Sequence, residues 1–214
     1  MNLYLISGLG ADERAFEKLQ LPTHYHVRHI NWISPLSNEK IQAYAKRLLQ
    51  QIDTSKPFSL IGLSFGGIMA IEIAKIIQPS KTIIVSSCSM AKQLPWHYKA
   101  LGFIKVYNYL PIKLMKKKNK ITYWFFGTKN KHEQKILGET IAETDSNYLK
   151  WALKMISTWR NKTIIPNLVH IHGDADRLFP IYFIEPTITI ADGTHMMVRD
   201  KADEISMHIQ SLLK

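Results

Sequence analysis

Short, almost wholly apolar runs alternate along this chain with segments in which apolar residues return every third or fourth position. The short runs Leu3–Ser7, Phe58–Ser64, Thr82–Cys88, Leu168–Asp174 and Thr187–Gly193 predict strands buried on both faces. Tyr25–Trp32 predicts a further strand, but His26, Arg28 and His29 place it at a partly exposed edge. Between strands, Ile41, Tyr44, Ala45, Leu48, Leu49 and Ile52 share the spacing of one amphipathic helix face. Gly8–Leu19 turns and enters a helix with Asp12 as N-cap. The stretch Ile68–Ile77 is apolar nearly all round, broken only by Glu72 and Lys75, and ends before Pro79. Such a helix belongs at the centre of a fold. A closing helix carries Ala202, Ile205, Ile209 and Leu212 on one face.

Strand and helix alternate, and the strands are continuously apolar. This predicts an α/β fold, a mostly parallel sheet of about six strands with helices on both faces. The rhythm breaks over residues 91–162, where no strand pattern occurs and aromatics are frequent: Trp96, Tyr98, Tyr107, Tyr109, Tyr123, Trp124, Phe125, Phe126, Trp151 and Trp159. Tyr148, Ala152, Met155, Ile156 and Trp159 form a helical stripe within it. The expected organisation is therefore a core of residues 1–90 and 163–214 with a helical cap inserted at 91–162. No internal repeat is visible.

Composition narrows the setting. At 214 residues and 46% hydrophobic content the chain can bury a sizeable core. Its single cysteine, Cys88, rules out an internal disulfide and fits a reducing compartment. The N-terminus lacks the basic and apolar regions of a signal peptide, and no apolar run approaches the roughly 20 residues of a membrane span. A cytoplasmic protein is expected. The net charge of +11 is concentrated: between Lys92 and Lys135 lie eleven lysines, no arginine and one acid, Glu133. That stretch could attract an anionic substrate or surface, or form only a solvated face. Lysines without arginine or a stacking motif argue against a nucleic-acid reader.

The chemistry centres on Gly62-Leu63-Ser64-Phe65-Gly66-Gly67. A Gly-x-Ser-x-Gly match alone is weak, arising by chance in about one chain of this length in fifteen. Here it joins a strand to a helix, the setting of a serine mounted on a strained turn. Glycines at 62 and 66 remove side chains that would collide as the chain reverses, and Gly67 permits close packing. The helix N-terminus turns N–H groups toward negative charge developing beside Ser64.

With these residues the sequence resembles the α/β-hydrolase family, whose triad runs serine, acid, histidine along the chain. His172–Pro180 (HGDADRLFP) is similar to the family's acid loop and implies Asp176 as the acid; Asp174 competes for that role from the same loop. Asp192–Met197 (DGTHMM) follows the last strand and implies His195 as the base. The other histidines, including His172, do not follow a strand beyond the acid. By the same resemblance the backbone N–H groups of Phe65 and Leu9, the latter in Ser7–Ala11, form the oxyanion hole. Family members usually carry extra strands ahead of the one that begins here at Leu3, so the sheet is expected to lack the first strands. The resemblance implies acyl transfer through a covalent serine intermediate, with no metal and no organic cofactor.

Other readings stand beside it. His170, His172 and Asp174 begin a His-x-His-x-Asp pattern of binuclear zinc hydrolases, which normally continues with His, but Ala175 occupies that next position. A non-catalytic binding module on the same fold is the other class. Among hydrolases, a carboxylesterase leads, with an acyl-CoA or carrier-protein thioesterase next. Acyltransferase, C–C hydrolase and lyase chemistries use similar residues. The expected partner is a small acyl substrate, an anionic one if the lysines bind it. Oligomeric state is left open.

Overall fold

The computed structural model describes residues 1–105, 109, 116 and 120–214. Tyr107 and the lysines Lys113, Lys117 and Lys118 singled out above lie outside the described residues. Six strands form one sheet: β1 (Asn2–Ile6), β2 (His26–His29), β3 (Phe58–Leu63), β4 (Lys81–Val85), β5 (Leu168–Gly173) and β6 (Ile188–Ile190). All neighbours pair parallel, in the order β2-β1-β3-β4-β5-β6. The mostly parallel α/β sheet expected from the pattern is the one observed.

Alternation along the strands feeds two cores. Tyr4, Ile6, Leu60 and Ile84 face one cluster with α1 (Ile41–Leu48) and α2 (Phe65–Ala74). Leu3, Leu5, Ile61, Leu63, Ile83 and Val85 face the other, with Phe16 and with Ile205 and Ile209 of the closing helix (Ala202–Leu212). Strands with an apolar core on each face need apolar residues at every position, hence the continuous runs. At the edge, β2 exposes His26, Val27 and Arg28, as its polar pattern predicts.

Several boundaries differ from the pattern. The strands end three residues early at Val85 and Ile190, and Tyr25–Trp32 contracts to four residues. The freed residues become the loops that carry the site. Gly8–Leu19 supplies only a one-turn 3-10 helix, Glu13–Phe16, although Asp12 does cap it by accepting from the Arg14 N–H. The central helix α2 ends at Ala74, before Pro79, and all ten of its residues are buried. Its one charge, Glu72, is met by Lys75 at 2.6 Å and by the Trp159 indole N–H at 2.7 Å.

Within 91–162 the described residues form α3 (Trp96–Phe103), α4 (Lys120–Phe126), α5 (Lys131–Glu143) and α6 (Ser146–Thr158). The stripe on α6 enters the same cluster as α1 and α2, with Tyr148, Trp151, Ala152, Met155 and Trp159 all buried. The Trp151 indole donates to the Glu39 carbonyl at 2.8 Å. Trp96, Tyr109 and Trp124, by contrast, stand exposed. The remaining helices are α7 (Met197–Asp200) and α8, the closing helix. No helix among the described residues is long and apolar enough to cross a membrane.

One very close approach in the core is where α2 leaves β3. A Cβ built on Gly66 would lie 2.2 Å from the Ile6 carbonyl oxygen and 2.3 Å from that of Ser7. Neither is a side chain that can swing aside. Gly66→Ala is therefore expected to destabilise the fold by about 3 kcal/mol, the upper end for overpacking, read as a lowered denaturant midpoint at unchanged m-value.

His170 on β5 is a second pressure point. Burial, with His172 beside it, pushes its pKa from 6.5 down to about 3. Below 6.5 the unfolded chain binds a proton that the native site refuses, so stability falls with pH across that window. The expected slope is about 1.4 kcal/mol per pH unit. Acid unfolding of His170→Leu should have a shallower slope, with a remainder from His172, which burial also lowers.

Candidate active site

Strand β3 delivers the chain to Ser64 and α2 begins at the next residue, so Ser64 occupies the turn itself. Its backbone takes φ 52° and ψ −118°, a region that favours glycine and costs a side-chain-bearing residue about 1–3 kcal/mol. The turn is held from beneath: the Ser64 N–H donates to the Val85 carbonyl at 2.9 Å, and the Ser87 hydroxyl donates to the Ser64 carbonyl at 2.7 Å.

Asp176 follows β5 and is buried. Its Oδ1 accepts from the N–H groups of Leu178 (2.8 Å) and Phe179 (2.9 Å), and its Oδ2 from His195 Nδ1 (2.8 Å). Burial alone would raise the Asp176 pKa; His195 and these donors outweigh it and hold the carboxyl below its ordinary value. His172, kept neutral by burial, sits beneath the loop, its Nε2–H donating to the Phe179 carbonyl at 2.8 Å. Asp174, the competing acid, is exposed.

His195 follows β6. An ionised carboxylate only accepts, so Nδ1 carries the proton and Nε2 presents its lone pair to Ser64 Oγ, 2.9 Å away. The acid and base loops meet backbone to backbone. Ala175 N–H donates to the Gly193 carbonyl at 3.0 Å, and a Cβ on Gly173 would fall 2.0 Å from that same oxygen. Ser64, Asp176 and His195 are thus brought into one hydrogen-bonded line. The structure also brings the Leu9 loop against it: a Cβ on Gly8 would lie 3.3 Å from Ser64 Cβ. Phe65 opens α2, where first-turn N–H groups have no acceptor within the helix.

Neighbours that carried no sequence signal complete the site. Phe126 of α4 meets the His195 ring edge-on at 5.4 Å, and Phe179 lies 5.6 Å from it. Arg199 and Glu133, both buried, form an ion pair between α7 and α5, and Lys18 reaches Glu133 at 2.9 Å. The one acid of the lysine-rich stretch thus ties α5 to α7, the short helix that follows His195. Cys88 is fully buried, and burial pushes its thiol pKa up, so it is no nucleophile. Among the described residues no His, Cys, Asp and Glu group is arranged to hold a metal.

Two spaces flank this line. A small cavity of about 40 Å³ touches Ser64 and His195 and is walled mainly by Leu9, Leu63, Phe126, Ile136, Leu137 and Met196. A cleft of about 550 Å³, lined in part by Ser7, Gly10, Ala11 and Trp32, shares Ala11 and Thr140 with it.

No family profile matches the sequence, and no curated protein matches it. Solved structures do. A lipase-esterase related protein from Clostridium acetobutylicum ATCC 824 superposes with a TM-score of 0.70 at 16% identity, over 99% of this chain and 93% of that one. An esterase from Exiguobacterium antarcticum gives 0.70 at 13% identity, over 100% and 92%. A bromoperoxidase from Bacillus anthracis gives 0.68 at 16%, over 99% and 91%. Likeness at these identities establishes the fold: the chain has the α/β-hydrolase fold. The differing chemistries of these neighbours leave the reaction to be argued from the site.

The strain at Ser64 can be isolated by comparing two variants that both lose the hydroxyl. Ser64→Gly is expected to be about 1 kcal/mol more stable than Ser64→Ala in chemical denaturation, because only alanine retains a Cβ at positive φ.

Proposed function

We propose that the protein is a serine hydrolase that cleaves a carboxylic ester or thioester through an acyl-enzyme. The observation that carries this is the unbroken line from Asp176 through His195 to Ser64, with hydrogen bonds of 2.8 and 2.9 Å. In this mechanism His195 Nε2 takes the Ser64 proton as Oγ attacks the carbonyl. Asp176 fixes the ring and stabilises its charged form. The N–H groups of Phe65 and Leu9 hold the tetrahedral oxyanion, each such donor typically being worth about 2.7–4 kcal/mol of barrier. His195 then returns the proton to the leaving oxygen or sulfur, and water, activated the same way, releases the acid. Residues 91–162 act as a cap whose Phe126 excludes water from His195.

The small apolar cavity beside Ser64 supports a short acyl group. A space of about 40 Å³ accommodates two or three carbons and no long chain. p-Nitrophenyl acetate and propionate are expected to turn over, with kcat/KM falling by at least about tenfold by octanoate. Ser64→Ala should abolish turnover and prevent labelling by a fluorophosphonate, read as loss of the mass adduct. A Ser64→Ala variant as active as the parent overturns the proposal.

A further inference from the structure

Large apolar side chains stand exposed in one part of the chain out of proportion to its length. Of fifteen such side chains among the described residues, eight fall between Trp96 and Phe125. On α3 they form a stripe. Trp96, Ala100, Phe103 and, at the helix end, Ile104 recur at the spacing of one face, with Trp96 70% and Phe103 86% exposed. The inner side of α3 is already occupied, since a Cβ on Gly102 would lie 2.6 Å from the Ser157 carbonyl oxygen of α6. On α4, Ile121, Trp124 and Phe125 form a second exposed stripe at i, i+3 and i+4. An apolar stripe on the outward side of a packed helix has no core left to enter, and marks a surface for a partner.

Both helices are tied to the loop that carries Asp176. The Tyr98 hydroxyl of α3 donates to the Leu178 carbonyl at 3.0 Å, and Arg177 donates to the Trp124 carbonyl of α4 at 2.7 Å. The Arg177 guanidinium also lies over the Trp124 ring, 4.5 Å from its centroid. The two stripes therefore border the same loop, and a cation already stands among their rings.

Charge says what this surface fits. Between Lys92 and Lys131 the sequence contains no acid. The next residue of that kind, Glu133, is buried and held by Arg199 and Lys18. Among the described residues, the lysines of this stretch that find a carboxylate are Lys92, with Glu185, and Lys135, with Glu139. Lys105, Lys120, Lys129 and Lys131 are exposed and form no ion pair among the described residues. Lys105 follows Ile104 and Lys120 precedes Ile121, so a free cation adjoins each apolar stripe.

We propose that α3 and α4 dock on an anionic phospholipid surface, with Trp96 and Phe103 in the headgroup boundary and Lys105 and Lys120 at the lipid phosphates. Aromatic rings beside unpaired lysines are what a bilayer interface holds, the rings in the boundary layer and the ammonium groups against negative headgroups. A second copy of the chain fits this face poorly, because a two-fold contact would set lysines against lysines. Ser64 takes no part in the contact, so adsorption stands apart from the hydrolase reading.

The test is co-sedimentation with vesicles of phosphatidylcholine, alone or with roughly one third phosphatidylglycerol. At low salt, partitioning onto the phosphatidylglycerol vesicles is expected to be at least about tenfold stronger, and 0.5 M NaCl should remove most of that difference. Trp96→Ser combined with Phe103→Ser should weaken partitioning about tenfold. Lys105→Gln combined with Lys120→Gln should weaken it about twentyfold, near fivefold for each lysine. All four side chains are exposed, so both double variants should melt as the parent does. Quenching of the parent's tryptophan fluorescence by brominated phosphatidylcholine, reduced in Trp96→Phe, gives a reading that leaves the stripe apolar. Absence of partitioning at low salt overturns the proposal, and so does partitioning that neither double variant weakens. Dimerisation lost in Trp96→Ser, Phe103→Ser protein, without vesicle binding, gives the face to a second copy and overturns it too. Ser64→Ala protein should adsorb as the parent does. A parent protein that adsorbs yet hydrolyses no ester leaves the lipid surface standing and removes the hydrolase reading.

Discussion

The contact between the first turn of α2 and the ends of β1 and β3 sets the geometry of everything at the top of the sheet. With Gly66 in van der Waals reach of the Ile6 and Ser7 carbonyls, the helix can start only one residue after the strand ends. That forces Ser64 into its positive φ and lifts its hydroxyl clear of the sheet. The same approach seats the Ser7–Ala11 loop against Ser64, so Ser64 and that loop share one backbone constraint. Burial of all of α2 between the sheet and α1 supplies the apolar free energy that holds a strained turn in place.

The sheet then distributes the remaining groups. In a parallel sheet all strands end on one side, so loops after β1, β3, β5 and β6 converge without long excursions. Described helices of the 91–162 stretch pack against this core. They are joined to the core by the α6 stripe, by two indole N–H bonds and by the buried Glu133–Arg199 pair. Lys18 also reaches Glu133, at 2.9 Å, so the buried carboxylate has two cationic partners.

What was legible in the sequence followed from range. Strands β1, β3, β4 and β5 announced themselves as apolar runs, and Ser64, Asp176 and His195 each sit within a few residues of a strand end inside a short motif. Strand ends were overestimated because apolar or β-favouring residues continue into the loops: Ser86, Ser87 and Cys88 are buried though no longer paired as strand. The helix expected after β1 shortened to one turn because Asp12 and Arg14 form a tight local pair and the chain must stay low over Ser64. Pairings across long separations had no local signature. Phe126 beside His195, Glu133 with Arg199 and Trp32 with Phe65 are each chosen by tertiary placement.

The meeting of Gly173 with the Gly193 carbonyl has a mechanical meaning. Because the two loops touch through bare backbone, the placement of Asp176 relative to His195 depends on a main-chain contact as well as on their side-chain hydrogen bond. The serine rides on a different part, the β3–α2 elbow. The Asp176 and His195 loops and the β3–α2 elbow are thus two backbone units that meet at the site through the hydrogen bond between His195 Nε2 and Ser64 Oγ.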